Sequence, residues 1–431
     1  MPMLPLLISC SGSPSRVIQL PPGVTELTKP IEIAPGSAGV TVRGDNSTLR
    51  LAAGFQGKAA IVIRAASRIV LEGFVIDGNR DRQDLRLDMP PPETPFADHF
   101  PANGVLADSV EKLTIRNVRF QNVASFPVLI TRSRRIEIER VAIERSGSRN
   151  AKGRNNTTGG ILFEEGVAGF AVRDSTFLDV LGNGVWTHSR ATSPRNSTGV
   201  ISGNRFARIG RDAIQAGHAT RVRVTANEGS LIGFPPDAVD IENLAVPVAI
   251  DTAGNVDQSV YTDNRFTEIN GKCIDLDGFH HGRVSGNTCR NTRSDAEYPH
   301  GHYGIVFNNT NTEMRSEAVV VEDNTIDGAR YGGLFLIGAG HIVRRNRFLN
   351  VNRARCGSVP APSACRYKPE EPDLLRAGIY LGSGAERPDP ARDNRIEHNV
   401  VTGFGAAGRC IAAAPGVSLE ANRTAFNKCG E

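Results

Sequence analysis

Gly203-Asn204-Arg205-Phe206, Asp263-Asn264-Arg265-Phe266 and Arg345-Asn346-Arg347-Phe348 are one pattern met three times, a polar bend followed by an apolar ring. The same Asn recurs at Asn204, Asn227, Asn264, Asn287, Asn324, Asn346, Asn399 and Asn422, at spacings of 23, 37, 23, 37, 22, 53 and 23 residues. A basic period of 22 or 23 is therefore interrupted by insertions of about 14 and about 30 residues. Between the bends the apolar residues come as short Val, Ile, Leu and Phe alternations, and almost no run has a helical period. A repeat of that length with β-type alternation is a solenoid of β-coils. The leucine-rich horseshoe shares the length, but its Leu-x-x-Leu-x-Leu spacing is absent. Asn suits the bend because it tolerates the left-handed backbone and its amide can bond to the equivalent Asn one coil on. The Phe is expected to point inward and stack along the core. The predicted fold class is all-β, a single-domain solenoid of roughly 22–23-residue coils with loop insertions.

The start of the chain gives that solenoid a hand. Val17 to Leu27, Ile31 to Ile33, Val40 to Asn46 and Leu49 to Leu51 are short alternating segments separated by Pro-Pro-Gly, Pro-Gly and Gly-Asp-Asn turns. This resembles the opening coils of the pectin-lyase-like superfamily of right-handed parallel β-helices, and the resemblance extends over nearly the whole chain. It implies a carbohydrate-active protein, with a monomer and a homotrimer both open.

Composition agrees and excludes other classes. At 431 residues the chain is long for one compact domain, yet its middle holds no linker. The 50 basic residues are spread along the sequence and the net charge is only +4, so no nucleic-acid groove is implied. No run approaches the ~18 apolar residues that a membrane span needs.

Leu7-Ile8-Ser9-Cys10 followed by Ser-Gly-Ser-Pro-Ser resembles a bacterial lipoprotein cleavage box, with Cys10 as the residue that would carry lipid. It departs from the pattern in having no Lys or Arg ahead of it. Residues 1–16 then read as a signal remnant and tether, and 17–431 as the β-helix domain. The other six cysteines fall into near neighbours, Cys273 with Cys289, Cys356 with Cys365 and Cys410 with Cys429. Three local disulfides would suit an exported protein, periplasmic, cell-surface or extracellular, although spacing alone does not fix pairing and Cys273 or Cys289 reads equally as a buried thiol.

Laying the coils over one another aligns eight strands: Gly160–Glu164, Gly184–His188, Ala213–Gly217, Ala238–Glu242, Cys273–Asp277, Gly304–Asn308, Gly333–Ile337 and Gly378–Gly382. Their second and fourth positions are nearly all apolar and face inward; the third and fifth face out. Asp240, Glu242, Asp275 and Asp277 should then form a square of four carboxylates on an exposed face, since adjacent strands lie about 4.8 Å apart and alternate residues about 6.8 Å. His188 and His218 would border it on one side and Asn308 on the other, with Trp186 as a stacking surface for a sugar. Insertions at 80–102, 146–158, 243–258, 290–303 and 352–376 would wall it.

Like charges set in register are costly in a sheet and need a use. Clustering makes a protonated and an ionised carboxyl available together, as glycoside hydrolysis requires. The predicted catalytic set is Asp240, Glu242, Asp275, Asp277, His188 and His281. The predicted substrate contacts are Trp186, His218, Arg211, Lys272, Arg283, His302 and Asn308. His280-His281-Gly282 and His300-Gly301-His302 partly resemble the Gly-His-Gly of polygalacturonase-type hydrolases, whose Asn-Thr-Asp and Arg-Ile-Lys motifs are absent. No cofactor is expected for a hydrolase. The alternative is a calcium-dependent lyase on a uronate polymer, with the same four carboxylates as calcium ligands and Lys272, Arg211, Arg283 or Arg293 as base. A third reading is a binding or structural β-helix without turnover.

Overall fold

The computed structural model describes residues 16–83, 85–366 and 368–431. Cys10 and the tether before residue 16 lie outside the described residues. The contacts divide the chain into two compact units: one runs to Arg211 and includes Asp237–Asp240, the other comprises Asp212–Pro236 and Ile241–Glu431.

Both units are built from parallel β-coils of three strands each. In the second unit one sheet holds Ala219–Thr225, Val260–Thr262, Arg283–Ser285, Val320–Glu322, Ile342–Arg344, Arg395–Glu397 and Arg423–Ala425 in that order. A second sheet begins with Glu228–Ile232 and Arg265–Ile269 and ends with Lys428–Gly430. The third holds Ile214–Gly217, Val248–Ala253, Lys272–Asp277, Ile305–Asn308, Leu334–Leu336, Ile379–Leu381 and Ile411–Ala413. The first unit repeats the arrangement, its third sheet running through Asn103–Asp108, Val128–Thr131, Ile161–Glu164 and Val185–His188. Seven of the eight aligned strands are present. The eighth, Ala238–Glu242, is a loop following a short 3-10 turn at Pro236–Ala238, and Val248–Ala253 takes its place.

Alternation decides what lies inside. Ile250, Ile274, Leu276, Ile305, Phe307 and Leu334 of the third sheet are at most 1% exposed, each worth about 1.5–3 kcal/mol of apolar burial. The three Phe of the repeated pattern are inward as expected, and Phe206 stacks on Phe177 at 4.7 Å. Phe266 and Phe348 do not form a continuous stack, because Cys289 and Ile326 hold the intervening positions of that column.

The Asn bend works differently from the expectation. The left-handed residue is the one before the Asn: Ala226, Asp263, Asp323, Arg345 and His398 have φ of 53°, 57°, 57°, 54° and 57°, and Gly286 has 67°. That turn drives the Asn side chain into the interior, where it meets its counterpart. Asn227 donates to Asn264 Oδ1 at 2.9 Å, Asn264 to Asn287 at 2.8 Å, Asn287 to Asn324 at 3.0 Å and Asn324 to Asn346 at 2.9 Å. Asn346 and Asn399 continue the ladder, which ends on Asn427. Asn422 belongs instead to a second ladder with Asn394.

All three local disulfides, Cys273–Cys289, Cys356–Cys365 and Cys410–Cys429, are formed. The first ties the Lys272–Asp277 strand to the Thr288–Arg290 strand of the second sheet. Among the described residues no helix is long and apolar enough to cross a membrane.

Candidate functional site

The outward face of the third sheet in the second unit carries a cluster of titratable side chains. Gln215 pairs with Asp251, and Ile250 pairs with Ile274, which sets Asp251 beside Asp275. Asp275 pairs with Val306 and Asp277 with Asn308, and the column continues through Phe335 to Tyr380. Asp251 thus holds the position expected for Asp240.

These carboxylates are recessed, not spread on an open face. Asp251, Asp275 and Asp277 are 6%, 4% and 8% exposed, and Lys272 is 7% exposed. Lys272 Nζ meets Asp275 Oδ2 at 2.5 Å, an ion pair between groups three residues apart on one strand. Gln215 Nε2 donates to Asp251 Oδ2 at 2.5 Å. Asp277 accepts from the backbone N–H and the hydroxyl of Thr310, both at 2.8 Å. Thr310 sits on a loop that sequence reading left unmarked. Arg387 holds that loop by donating to the carbonyls of Asn309, Asn311, Thr312 and Met314.

Burial and neighbouring charge shift the titrations of Asp251, Asp277, Lys272 and His302. Burial, then the charges of Asp212 and Asp275, push the Asp251 carboxyl well above its ordinary range. Burial lifts Asp277 to about 6, helped by the Asp275 charge and opposed by the Thr310 bonds. Burial works against the Lys272 ammonium, but the charge and hydrogen bond of Asp275 outweigh it and the pKa rises. His302 is pushed down to about 3 by burial and by Lys272, and its Nδ1 is buried without a partner. Asp251, whose burial favours the protonated form, therefore stands beside Asp275, which Lys272 meets in an ion pair, an arrangement of the kind an acid–base pair uses.

Of the residues singled out from sequence, Asp275, Asp277, Lys272, His302 and Asn308 come together here; Asn308 accepts from the Asn309 N–H at 2.8 Å. His218 occupies the turn after Ile214–Gly217, with φ of 43° and its N–H on Gly254. Others have different places. Asp240 belongs to the first unit, is 1% exposed and is held by Asn150 Nδ2 at 2.7 Å and by Asn155. Arg211, also in that unit, donates to the Asp240 carbonyl. Glu242 is exposed on the loop that replaces the expected strand. Arg283 shares Glu322 with Arg344 and Arg345 on the first sheet, and exposed His281 faces Glu317 at 3.8 Å. Arg293 pairs with Glu268 and Glu297.

Trp186 is no open platform. It is 5% exposed beneath Phe96 and Phe126, in a cluster that the insertion at 80–102 closes. His188 packs against Phe96 and Trp186 at 4.9 and 5.1 Å. Glu164, fully buried, accepts the N–H groups of Phe96 and Ala97 and so pins that insertion. The four carboxylates proposed as calcium ligands do not assemble, because Asp240 and Glu242 are not on the strand beside Asp275. Among the described residues no group of three or more His, Cys, Asp or Glu is arranged to hold a metal.

Sequence reading missed Asp251, yet a signal was there. Gln215 precedes Asn227 by 12 residues, Asp275 precedes Asn287 by 12 and Asp251 precedes Asn264 by 13, whereas Asp240 precedes it by 24. Counting back from the bend finds the correct strand.

A family model described as a right handed beta helix region matches residues 97–230. None of the curated proteins matches the chain. Among solved structures, PfbA, a surface adhesin of Streptococcus pneumoniae, is similar with a TM-score of 0.52 at 12% identity, covering 78% of this chain and 84% of that one. The polygalacturonase of Erwinia carotovora ssp. carotovora is similar with a TM-score of 0.50 at 15% identity, covering 74% of this chain and 88% of that one. The Dettilon tailspike protein gives 0.50 at 13% identity, with coverage of 96% of this chain and 62% of the tailspike. These likenesses concern the backbone, and with the family match and the coils described above they lead to one conclusion: the chain is a right-handed parallel β-helix protein.

Proposed function

We propose that this protein is an exported glycoside hydrolase in which Asp251 is the general acid and Asp275 the base or nucleophile. The observation that carries the reading is the recessed Asp251–Asp275 neighbour pair, whose surroundings favour a proton on the first and an ion pair for the second. In a hydrolytic step Asp251 would deliver its proton to the leaving glycosidic oxygen, and Asp275 would assist water or attack the anomeric carbon. Lys272 holds the Asp275 carboxylate in place, and Asp277 with Asn308 supplies polar contacts one position along the strands. The fold does not choose between enzyme and binder, since similar backbones belong to a polygalacturonase and to a surface adhesin. The carboxylate pair favours the enzyme, and three disulfides favour an oxidising compartment.

Release of reducing ends from a panel of polysaccharides, with ultraviolet absorbance followed for unsaturated products, tests this. The wild type should release reducing ends without that absorbance. Asp275→Asn and Asp251→Asn should each lose activity by a factor of about 10² or more, with chelator making no difference. Unsaturated product that disappears with chelator would replace hydrolysis by elimination. Turnover unchanged in both variants would remove the pair from catalysis.

A further inference from the structure

Asp277 owes its setting to a residue that lies well along the sheet. This step rests on the hydrolase reading, in which Asp277 contacts the substrate, and deepens it. Thr310 takes both carboxylate oxygens of Asp277, Oδ1 with its backbone N–H and Oδ2 with its hydroxyl, each at 2.8 Å. One residue that grips both oxygens fixes the plane of the carboxyl group as well as its position. Thr310 is itself exposed, on the loop that follows the Ile305–Asn308 strand. The grip is therefore only as firm as that loop.

Two side chains hold it. Met314, 6% exposed, lies over the turns that follow Val248–Ala253 and Lys272–Asp277. Gly278 leaves it room there, since a Cβ at that position would stand 2.8 Å from Met314 Cγ. The other is Arg387, whose guanidinium donates to the carbonyls of Asn309, Asn311, Thr312 and Met314. Its backbone also exchanges two bonds with the Asn309 amide, N–H to Oδ1 and carbonyl from Nδ2, each at 3.2 Å. Arg387 stands on a tight turn that the Asp389 N–H closes on the Ser383 carbonyl at 3.0 Å, after the Ile379–Leu381 strand. That strand is the third along the sheet from Lys272–Asp277, about 14 Å away at the usual spacing. A planar fork with several donors can gather the carbonyls of four residues; a single ammonium cannot. Because Asn309 and Asn311 flank Thr310, the clamp falls on the stretch that meets Asp277.

We propose that Arg387 is a positioning residue for Asp277: by clamping the loop on either side of Thr310 it sets the orientation in which Asp277 meets the sugar, with no contact of its own to the sugar.

The test reads Asp277 directly. Its titration is followed by carboxyl-carbon NMR in the ligand-free protein, with Asp275 and Lys272 on the same strand as the constant charges around it. Thr310→Val, which removes the hydroxyl donor, should raise the midpoint by about one pH unit. In an Arg387→Ala background the same substitution should move it by less than about a third of that, because the loop no longer holds Thr310 on the carboxylate. Thr310→Ser keeps both donors and should titrate as the wild type does. Arg387→Lys, which keeps the charge but presents one nitrogen, should follow Arg387→Ala, and it takes the place of that variant if the alanine protein melts early. In turnover assays Arg387→Ala should raise KM about tenfold and change kcat less than about threefold, since Asp277 binds and does not react. A Thr310→Val shift of equal size with and without Arg387, or an unchanged KM in Arg387→Ala, would overturn the proposal and leave Arg387 a support of the loop alone. Absence of turnover in the wild type would overturn the hydrolase reading, and the titration would still decide the positioning role.

Discussion

Asp277 is the residue at which folding and function pull apart. Its carboxyl sits at about 6 because burial and Asp275 outweigh two bonds from Thr310. A pKa raised above the unfolded value of 3.8 means that the stability linked to this group is full below about pH 4 and lost as pH rises through about 6. The shift corresponds to roughly 3 kcal/mol. Asp277→Asn, which keeps the shape and cannot ionise, should therefore raise Tm by a few degrees at pH 8 and leave it almost unchanged at pH 4, read by calorimetry across pH. Equal melting at both pH values would mean that the carboxylate pays no desolvation cost in the folded protein. A residue retained at the expense of stability is what a site predicts and a scaffold does not. Glu164 gives the same sign in the first unit: burial raises it to about 7 despite two backbone donors. Glu164→Gln removes the ionisable group but leaves one acceptor oxygen for the two N–H groups of Phe96 and Ala97, so its effect on Tm should be more favourable at pH 8 than at pH 4.

At the scale of the element, the Asn ladder is the clearest case of a side chain doing backbone work. Asn287 Oδ1 accepts from the N–H and the amide of Asn264, and its own Nδ2 bonds to the Tyr261 carbonyl at 2.9 Å. Asn287→Ala would leave those three buried groups without their partner, at a cost of about 3 kcal/mol or more. A drop of that size in the free energy of denaturant unfolding is expected; a loss below about 1 kcal/mol would mean that water replaces the amide. The ladder was legible in the sequence because its spacing repeats. The strand Val248–Ala253 was not, because Ala238-Val-Asp-Ile-Glu242 and Ala249-Ile-Asp-Thr-Ala253 have the same local alternation. Only the distance to Asn264 separates them, and tertiary register, not propensity, selects the second. Asp251 was lost with its strand, and Asp275, Asp277 and Lys272 were found because theirs was aligned correctly. The burial of Trp186 was invisible for a different reason: the cover comes from an insertion whose docking depends on Phe96, Phe100 and Glu164, with no periodic signal.

Considered as a whole molecule, the chain spends its stability unevenly. In a solenoid each coil contacts its neighbours, so a coil at an end has a partner on one side only. Val17 and Val24 in the first coil of the first unit are 54% and 56% exposed, and Phe426 in the last coil of the second is 76% exposed. Lys272–Asp277, by contrast, is buried along its length and paired on both sides. Amide hydrogen exchange should therefore be fastest in 16–27 and 423–430 and slowest in 272–277, with differences of several orders of magnitude. Uniform protection across these segments would contradict nearest-neighbour control of stability.

The ladder has one more consequence, for how such a chain can change over generations. Its bonds join one rung to the next whatever the number of residues between them, 22 from Asn324 to Asn346 and 53 from Asn346 to Asn399. Position in this protein is measured in coils. A duplicated coil would slip in without disturbing its neighbours' bookkeeping of donors and acceptors, and a loop could lengthen at its own rung without moving any other. Asp251 and Asp275 keep their spacing because they lie on neighbouring strands of successive coils.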